Sequence, residues 1–431
     1  MTTPQTNRPL RSSPQGDARP ARTNRASLLH ILQHRDFSLL FFGQMISTSG
    51  TQIQIVVVAW QVYELTHSAI ALGLIGLFQA IPRLIFSLVG GVLADALDRR
   101  RLLLVVNVIL ASLSGILALT TMAHVISTPI IYAVVLVAAS VSAFEFPTRQ
   151  AIVPMLVPRE DLADALSYNI AMMQLTSILG AAIGGLVIAR IGVANSYWLD
   201  VISYLFVIGA LIVMHVPRIP AAQRAQAGIH GLLEGMRFLA AHPIILAVLS
   251  LDFFATFFGS PRALLPIYAG SILHAGPQGL GVLTAATSIG ALAIAPLTGL
   301  FSRVSRQGLG VALAVISWGV CVILFGLSTG PLWLSALFLA GAGASDMVSM
   351  LLRNLIVQLT TPDELRGRIS AVNAMFVIGG PSLGQVESGI VAGIFTPAVS
   401  VVSGGAACIL ATLAVLFLVP SLMRVRAKPA A

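Results

Sequence analysis

Six ionisable side chains stand out among those inside long apolar stretches: Arg83, Glu145, Asp252, Arg262, Asp346 and Glu387. A charged group at the centre of a bilayer costs ~2.5–3.5 kcal/mol on insertion scales, so such groups face a cavity or a partner. A buried carboxylate without a counter-charge disfavours its ionised form, which suits it to carrying protons near neutral pH. Asp252, Asp346 and Glu145 are therefore the candidates for proton coupling. Asp252 has no basic partner near it in sequence, and Arg353 lies two helical turns beyond Asp346. Arg83, Arg262 and Glu387 are candidates for lining a cavity or forming charge pairs. Glu145 and Arg149 are four residues apart and can pair on one helix face. Arg83, near mid-depth, is expected to line the cavity or to pair with Glu145 or Asp346. Arg262 and Glu387 are close enough to span ends to extend toward an interface.

Other chemistry finds no support. The eight histidines lie in tails or near span ends, and only His30 and His34 have metal-ligand spacing on one helix. Those two have no third ligand, so no metal site is expected. There is no phosphate-binding loop, so ATP is not the direct energy source, and no cofactor is implied. A membrane enzyme needs acidic and histidine residues clustered at one interface, and this chain has none. No enzymatic activity is expected.

The elements that position these residues follow from composition. Of 431 residues, 57% are hydrophobic and 10% charged, and mean hydropathy is +0.91. A soluble protein carries about 25% charged residues, so a soluble enzyme is excluded. Cys321 and Cys408 each lie in an apolar run, which excludes a disulfide scaffold. The net charge of +9 comes from arginines that flank apolar stretches, a pattern that orients helices in a bilayer rather than one that binds nucleic acid.

A span needs about 20 apolar residues. Twelve such stretches are present: 37–60, 70–94, 102–122, 130–152, 166–189, 197–216, 244–268, 279–301, 308–328, 332–357, 370–394 and 399–420. They are spans 1 to 12 below. The predicted fold is an all-α polytopic membrane protein, with twelve transmembrane helices in two pseudo-two-fold related six-helix halves. Residues 1–35 read as a disordered cytoplasmic tail. Residues 36–216 form the N-terminal bundle, 217–243 a cytoplasmic linker, 244–420 the C-terminal bundle and 421–431 a second cytoplasmic tail. The linker carries an amphipathic segment, Ile229 to Leu239, suited to lying on a membrane surface. With both termini in the cytoplasm, 20 of the 25 basic residues lie in the tails and inner connections, and only Arg190 falls in an outer connection.

The halves repeat. A shift of 204 residues brings Arg149 onto Arg353, Asn169 onto Asn373, Gly180 onto Gly384 and Gly185 onto Gly389. Upstream, a shift of 208 brings Gly73 onto Gly281 and Gly91 onto Gly299. Paired six-helix halves with a site between them are a common transporter plan.

The second connection carries Gly91, Asp95, Arg99 and Arg100. It resembles the major facilitator superfamily pattern Gly-x-x-x-Asp-Arg/Lys-x-Gly-Arg-Arg/Lys, with Ala96 and Asp98 as departures. The stretch Phe144 to Glu160 is similar to the drug and siderophore exporter branch of that superfamily. Gly180, Gly184 and Gly185 resemble its antiporter motif Gly-Pro-x-x-Gly-Gly, with Ala181 in place of proline; small residues there also permit close helix packing.

The resemblance implies a secondary active exporter in the cell inner membrane, working by alternating access and coupled to protons. Its cargo would be a small amphipathic compound, drug-like or siderophore-like. The alternative is an uptake permease of the same fold. The implied partners are that substrate, protons and the lipid bilayer, without nucleic acid, and a monomer suffices. Span 1 departs from the usual pattern of proton-coupled drug exporters: it holds Gln44, Gln52 and Gln54 but no charge. These glutamines, with Asn107, Asn169, Gln174 and Asn373, can bond a substrate or bond between helices at about 1 kcal/mol each. Phe253, Phe254, Phe257 and Phe258 surround Asp252 in sequence and suit either a bulky ligand or lipid.

Overall fold

The computed structural model describes residues 28–96, 98–215, 239, 242–297, 306–361 and 366–424. Most of the expected N-terminal tail, the linker with its amphipathic segment, and the tail beyond Arg424 lie outside the described residues. So do the side chains of Gly91 and Asp95.

Among the described residues, helical segments fall within each of the twelve expected spans. Among the described residues, nine helical stretches are long and apolar enough to cross a membrane. One of them, Leu162–Val213, contains spans 5 and 6. Gly192 separates the two with φ 80°, a left-handed conformation that a side chain resists. Spans 1 and 11, in Arg35–Thr66 and Arg366–Ile394, are not among the nine. Both are interrupted by polar residues, among them Gln52 and Gln54 in one and Gln385 and Glu387 in the other.

Two spans are broken, and each break sets a charged residue. Span 4 is made of Thr128–Ser142 and Glu145–Leu156. Pro147 has no N–H and its ring crowds the preceding turn, so the helix restarts at Glu145. Span 7 runs as Pro243–Phe258, then a 3-10 turn at Pro261–Leu264, then a wide turn at Tyr268–Ile272. Gly259 and Pro261 end its regular part, which turns Arg262 out of helical register.

The helix ends explain some departures from the family pattern. Asp98 caps span 3: its Oδ1 accepts from the backbone N–H of Arg100 at 3.0 Å and of Arg101 at 3.1 Å. Arg100 donates from Nε to the Leu211 carbonyl at 2.6 Å and from Nη2 to that of Ile212 at 2.7 Å, closing the end of span 6. Arg99 donates to the Ala151 carbonyl at 3.0 Å. Both arginines of the expected gating loop thus fasten helices within their own half.

The last residues of the expected tail are ordered. Leu28–Ile31 form one helical turn, with Ile31 buried in a cluster with Leu156 and Leu211. His34 Nε2 lies 3.2 Å from Asp161 Oδ2. Apolar burial and this contact hold the segment that composition alone assigns to a free tail.

Consecutive spans alternate in direction. The side reached by Leu28 and Arg424 is here termed the tail side, and the other the far side. Helix faces turned outward expose large apolar side chains, such as Leu205 and Phe206 on span 6 and Phe417 on span 12, as a lipid environment requires. The halves meet where span 2 packs on span 11 and span 5 on span 8.

Candidate functional site

A cavity of about 430 Å³ lies between the halves. Its wall includes Gln52 and Gln54 of span 1, Gln79 and Arg83 of span 2, Glu145 of span 4, Arg262 of span 7 and Gln385 of span 11. Ile55, Leu72, Ile75, Val135 and Leu280 supply apolar surface between them. The cavity therefore offers a greasy wall with a few convergent polar groups, the usual composition of a small-molecule site.

Three of the six charges singled out in the sequence line this cavity: Arg83, Glu145 and Arg262. Arg262, in the 3-10 turn that begins at Pro261, is exposed and lines this cavity. Asp252, Asp346 and Glu387 are not part of the lining.

Asp252 has a partner that sequence spacing did not reveal. Arg353 of span 10 donates from Nη1 to Asp252 Oδ1, and both side chains are buried. Asp346, on the same helix as Arg353, makes no hydrogen bond or ion pair with the described residues. It shares the electrostatic field of Arg353, Arg262 and Asp252. Glu145 lies 3.9 Å from Arg149 Nη1, the i,i+4 pair expected from spacing. Arg149 and Arg353 are repeat equivalents, yet one pairs within its helix and the other across to span 7. Glu387 is half-buried, and its Oε2 has no hydrogen-bond partner among the described residues.

The span 1 glutamines bond mainly between helices. Gln52 Nε2 donates to Ser177 Oγ of span 5. Gln54 Nε2 donates to Ser114 Oγ of span 3 at 2.7 Å. Gln61, which sequence reasoning passed over, donates to Thr121 at 2.9 Å and accepts from the Tyr197 hydroxyl at 2.7 Å. Phe253 stacks on Phe257 and meets Phe376 of span 11 edge-on, with Phe253 and Phe376 centroids 5.9 Å apart. None of the four span 7 phenylalanines lines the cavity.

Asp200, a fully buried carboxylate in span 6, also went unrecognised. Ser114 Oγ donates to its Oδ2 at 2.6 Å and Ser203 Oγ to its Oδ1 at 3.3 Å. A chain Gln54–Ser114–Asp200 thus leads from the cavity wall into the N-terminal half. The signal was present: a lone acidic residue inside an apolar stretch, three positions after its start.

The far side is closed by glycines. A Cβ on Gly73 of span 2 would lie 2.8 Å from the Gln385 carbonyl oxygen and 2.9 Å from Gly389 Cα of span 11. A Cβ on Gly281 of span 8 would lie 2.9 Å from the Ala182 carbonyl oxygen and 3.0 Å from Gly185 Cα of span 5. The Tyr63 hydroxyl of span 1 lies 2.6 Å from Ser271 Oγ in the last turn of span 7. Gly180 and Gly184, by contrast, pack on span 1 within their own half, against Ser49 and Val56. Of the three antiporter-like glycines, only Gly185 crosses to the other half.

Twelve spans in two pseudo-symmetric halves, with a mixed polar and apolar cavity between them, define a membrane transporter of the major facilitator fold rather than an enzyme. A family model described as transmembrane secretion effector matches residues 26–429, and the chain belongs to this family of the major facilitator superfamily. It is 28% identical over 402 residues to the enterobactin exporter EntS of Escherichia coli O81 (strain ED1a), covering 92% of this chain and 94% of that one. The EntS of Escherichia fergusonii matches with the same identity and coverage. Among solved structures, a mutant of the nucleoside transporter NupG superposes with a TM-score of 0.73 at 13% identity, covering 89% of this chain and 99% of that one. A bacterial homologue of the human lysosomal transporter Spinster superposes with a TM-score of 0.67 at 13% identity, covering 92% and 98%.

Proposed function

We propose that this protein is a secondary active exporter of a small amphipathic compound, drug-like or siderophore-like, driven by proton antiport. The observation that carries this reading is the cavity walled by both halves beneath a glycine-packed far side. Rocking the halves about that cavity exposes it to each side in turn. The far side is the cell exterior and both termini are cytoplasmic, as the distribution of arginines requires. The membrane is the cell inner membrane, and one chain suffices for the cycle. The similarity to enterobactin exporters supports the export direction. An uptake permease of the same fold is the alternative, and transport direction separates the two.

Glu145, Asp252 and Asp346 remain the proton-coupling candidates. Glu145 lies in the cavity wall, Asp252 is paired with Arg353, and Asp346 makes no hydrogen bond or ion pair among the described residues. Deleting the gene tests the reading: the expected result is greater sensitivity to amphipathic toxic compounds or reduced siderophore secretion. If neither changes, export is wrong. In proteoliposomes, an imposed pH gradient is expected to drive flux, and Asp346→Asn combined with Glu145→Gln to uncouple it. Flux indifferent to the gradient rejects proton coupling while leaving transport intact.

A further inference from the structure

We propose that the cavity selects substrates bearing a negative charge, such as a carboxylate or sulfonate on an apolar body, held between Arg83 of one half and Arg262 of the other. The inference rests on the transporter reading and adds the charge of the cargo. Both arginines line the same cavity. Neither makes a hydrogen bond or an ion pair with the described residues. A guanidinium presents five N–H donors in a planar fork that matches a carboxylate or sulfonate. Arg83, partly buried near the middle of span 2, calls for a partner there, and Arg262 is exposed toward the same cavity.

The two buried arginines, Arg149 and Arg353, each stand beside a carboxylate. Arg353 is paired with Asp252, and Arg149 sits beside Glu145. Arg83 and Arg262 lack such a carboxylate and face the cavity instead. The acidic groups around them do not cancel their charge. Glu145 shares the wall but already serves Arg149 at 3.9 Å. Asp346 makes no hydrogen bond or ion pair with Arg262 among the described residues and is not part of the cavity lining. Asp200 is fully buried and bonded to Ser114 and Ser203. The cavity therefore carries an excess of positive charge beside apolar walls.

The placement also couples binding to motion. Arg83 is on span 2 and Arg262 on span 7, so a single anionic group that bridges them binds best when the halves hold one relative position. A ligand shifts a conformational equilibrium only through such differential binding.

Three probes of similar size test the inference with the full chain: anionic 1-anilinonaphthalene-8-sulfonate, its uncharged relative N-phenyl-1-naphthylamine, and cationic ethidium. Equilibrium binding to the detergent-solubilised protein is expected to favour the anion by about tenfold, as charge-assisted hydrogen bonds allow. Arg83→Gln and Arg262→Gln are each expected to weaken anion binding by about tenfold while leaving the uncharged probe within about twofold. Arg83→Lys, which keeps the charge, is expected to retain most of the anion affinity, and a thermal melt of each variant confirms its fold. Preference for ethidium or for the uncharged probe, failure to bind the anion, or anion binding that survives the double glutamine variant overturns the inference. Flux in proteoliposomes is read separately. Arginine-dependent anion binding without outward flux under any imposed gradient rejects the exporter reading and leaves the charge selection standing.

Discussion

Gly73 of span 2 and Gly389 of span 11 touch backbone to backbone: a Cβ on Gly389 would lie 2.6 Å from Gly73 Cα. The repeat carries Gly73 onto Gly281 and Gly389 back onto Gly185. Gly281 and Gly185 form the second contact of this kind, with a Cβ on Gly185 lying 2.6 Å from Gly281 N. One clasp is the pseudo-symmetric image of the other, and both join the halves on the far side. Without side chains the helices approach closely enough for backbone van der Waals contact, the main adhesive force between helices in lipid.

Gly73→Val and Gly185→Val should each prevent that approach. Transport in proteoliposomes is expected to fall by about tenfold or more, since overpacking a tight contact costs about 1–3 kcal/mol. Cysteines introduced near the clasp should gain reactivity toward a membrane-impermeant thiol reagent. Gly209 of span 6 has nothing within 4 Å of its added Cβ, so Gly209→Val should transport normally. Equal behaviour of the three variants removes the clasp.

The 2.6 Å contact between Tyr63 and Ser271 joins the halves beside these glycines. Tyr63→Phe removes one neutral hydrogen bond, about 1 kcal/mol, and should shift the balance of conformations about fivefold away from the far-side-closed state. Spin-label distances across the far side read that shift directly.

Asp252 and Arg353 form a buried pair, so truncating one partner strands the other. Asp252→Ala is expected to destabilise the protein by about 3–5 kcal/mol, whereas Asp252→Leu with Arg353→Met should lie near the wild type. Melting temperatures in detergent distinguish these outcomes. Glu145→Ala should cost less, because its side chain is 27% exposed and water offsets the loss.

Asp200 accepts hydrogen bonds from two serines in a fully buried position. Asp200→Ala leaves both hydroxyls without that acceptor and is expected to cost about 1–3 kcal/mol, while Asp200→Asn keeps an acceptor oxygen and should recover most of it. Thermal melts check both. If the asparagine variant is stable but loses gradient-driven flux, the carboxylate joins the proton-coupling groups.

Membrane class, span positions and the repeat were legible in the residues, for a physical reason. A bilayer core demands about 20 apolar residues per crossing and internal satisfaction of every backbone group, so hydropathy along the chain maps onto helices directly. The repeat alignment even marked Gly73, Gly185, Gly281 and Gly389, although it could not say that they touch. What spacing could not reveal is which faces meet. Asp252 and Arg353 are 101 residues apart and pair because spans 7 and 10 present those faces to each other. Arg262 lines the cavity from the 3-10 turn that begins at Pro261, and Gly185 alone of its motif crosses to the other half. Helix rotation and packing decide such partnerships, and they arise only when twelve apolar surfaces compete for the same neighbours.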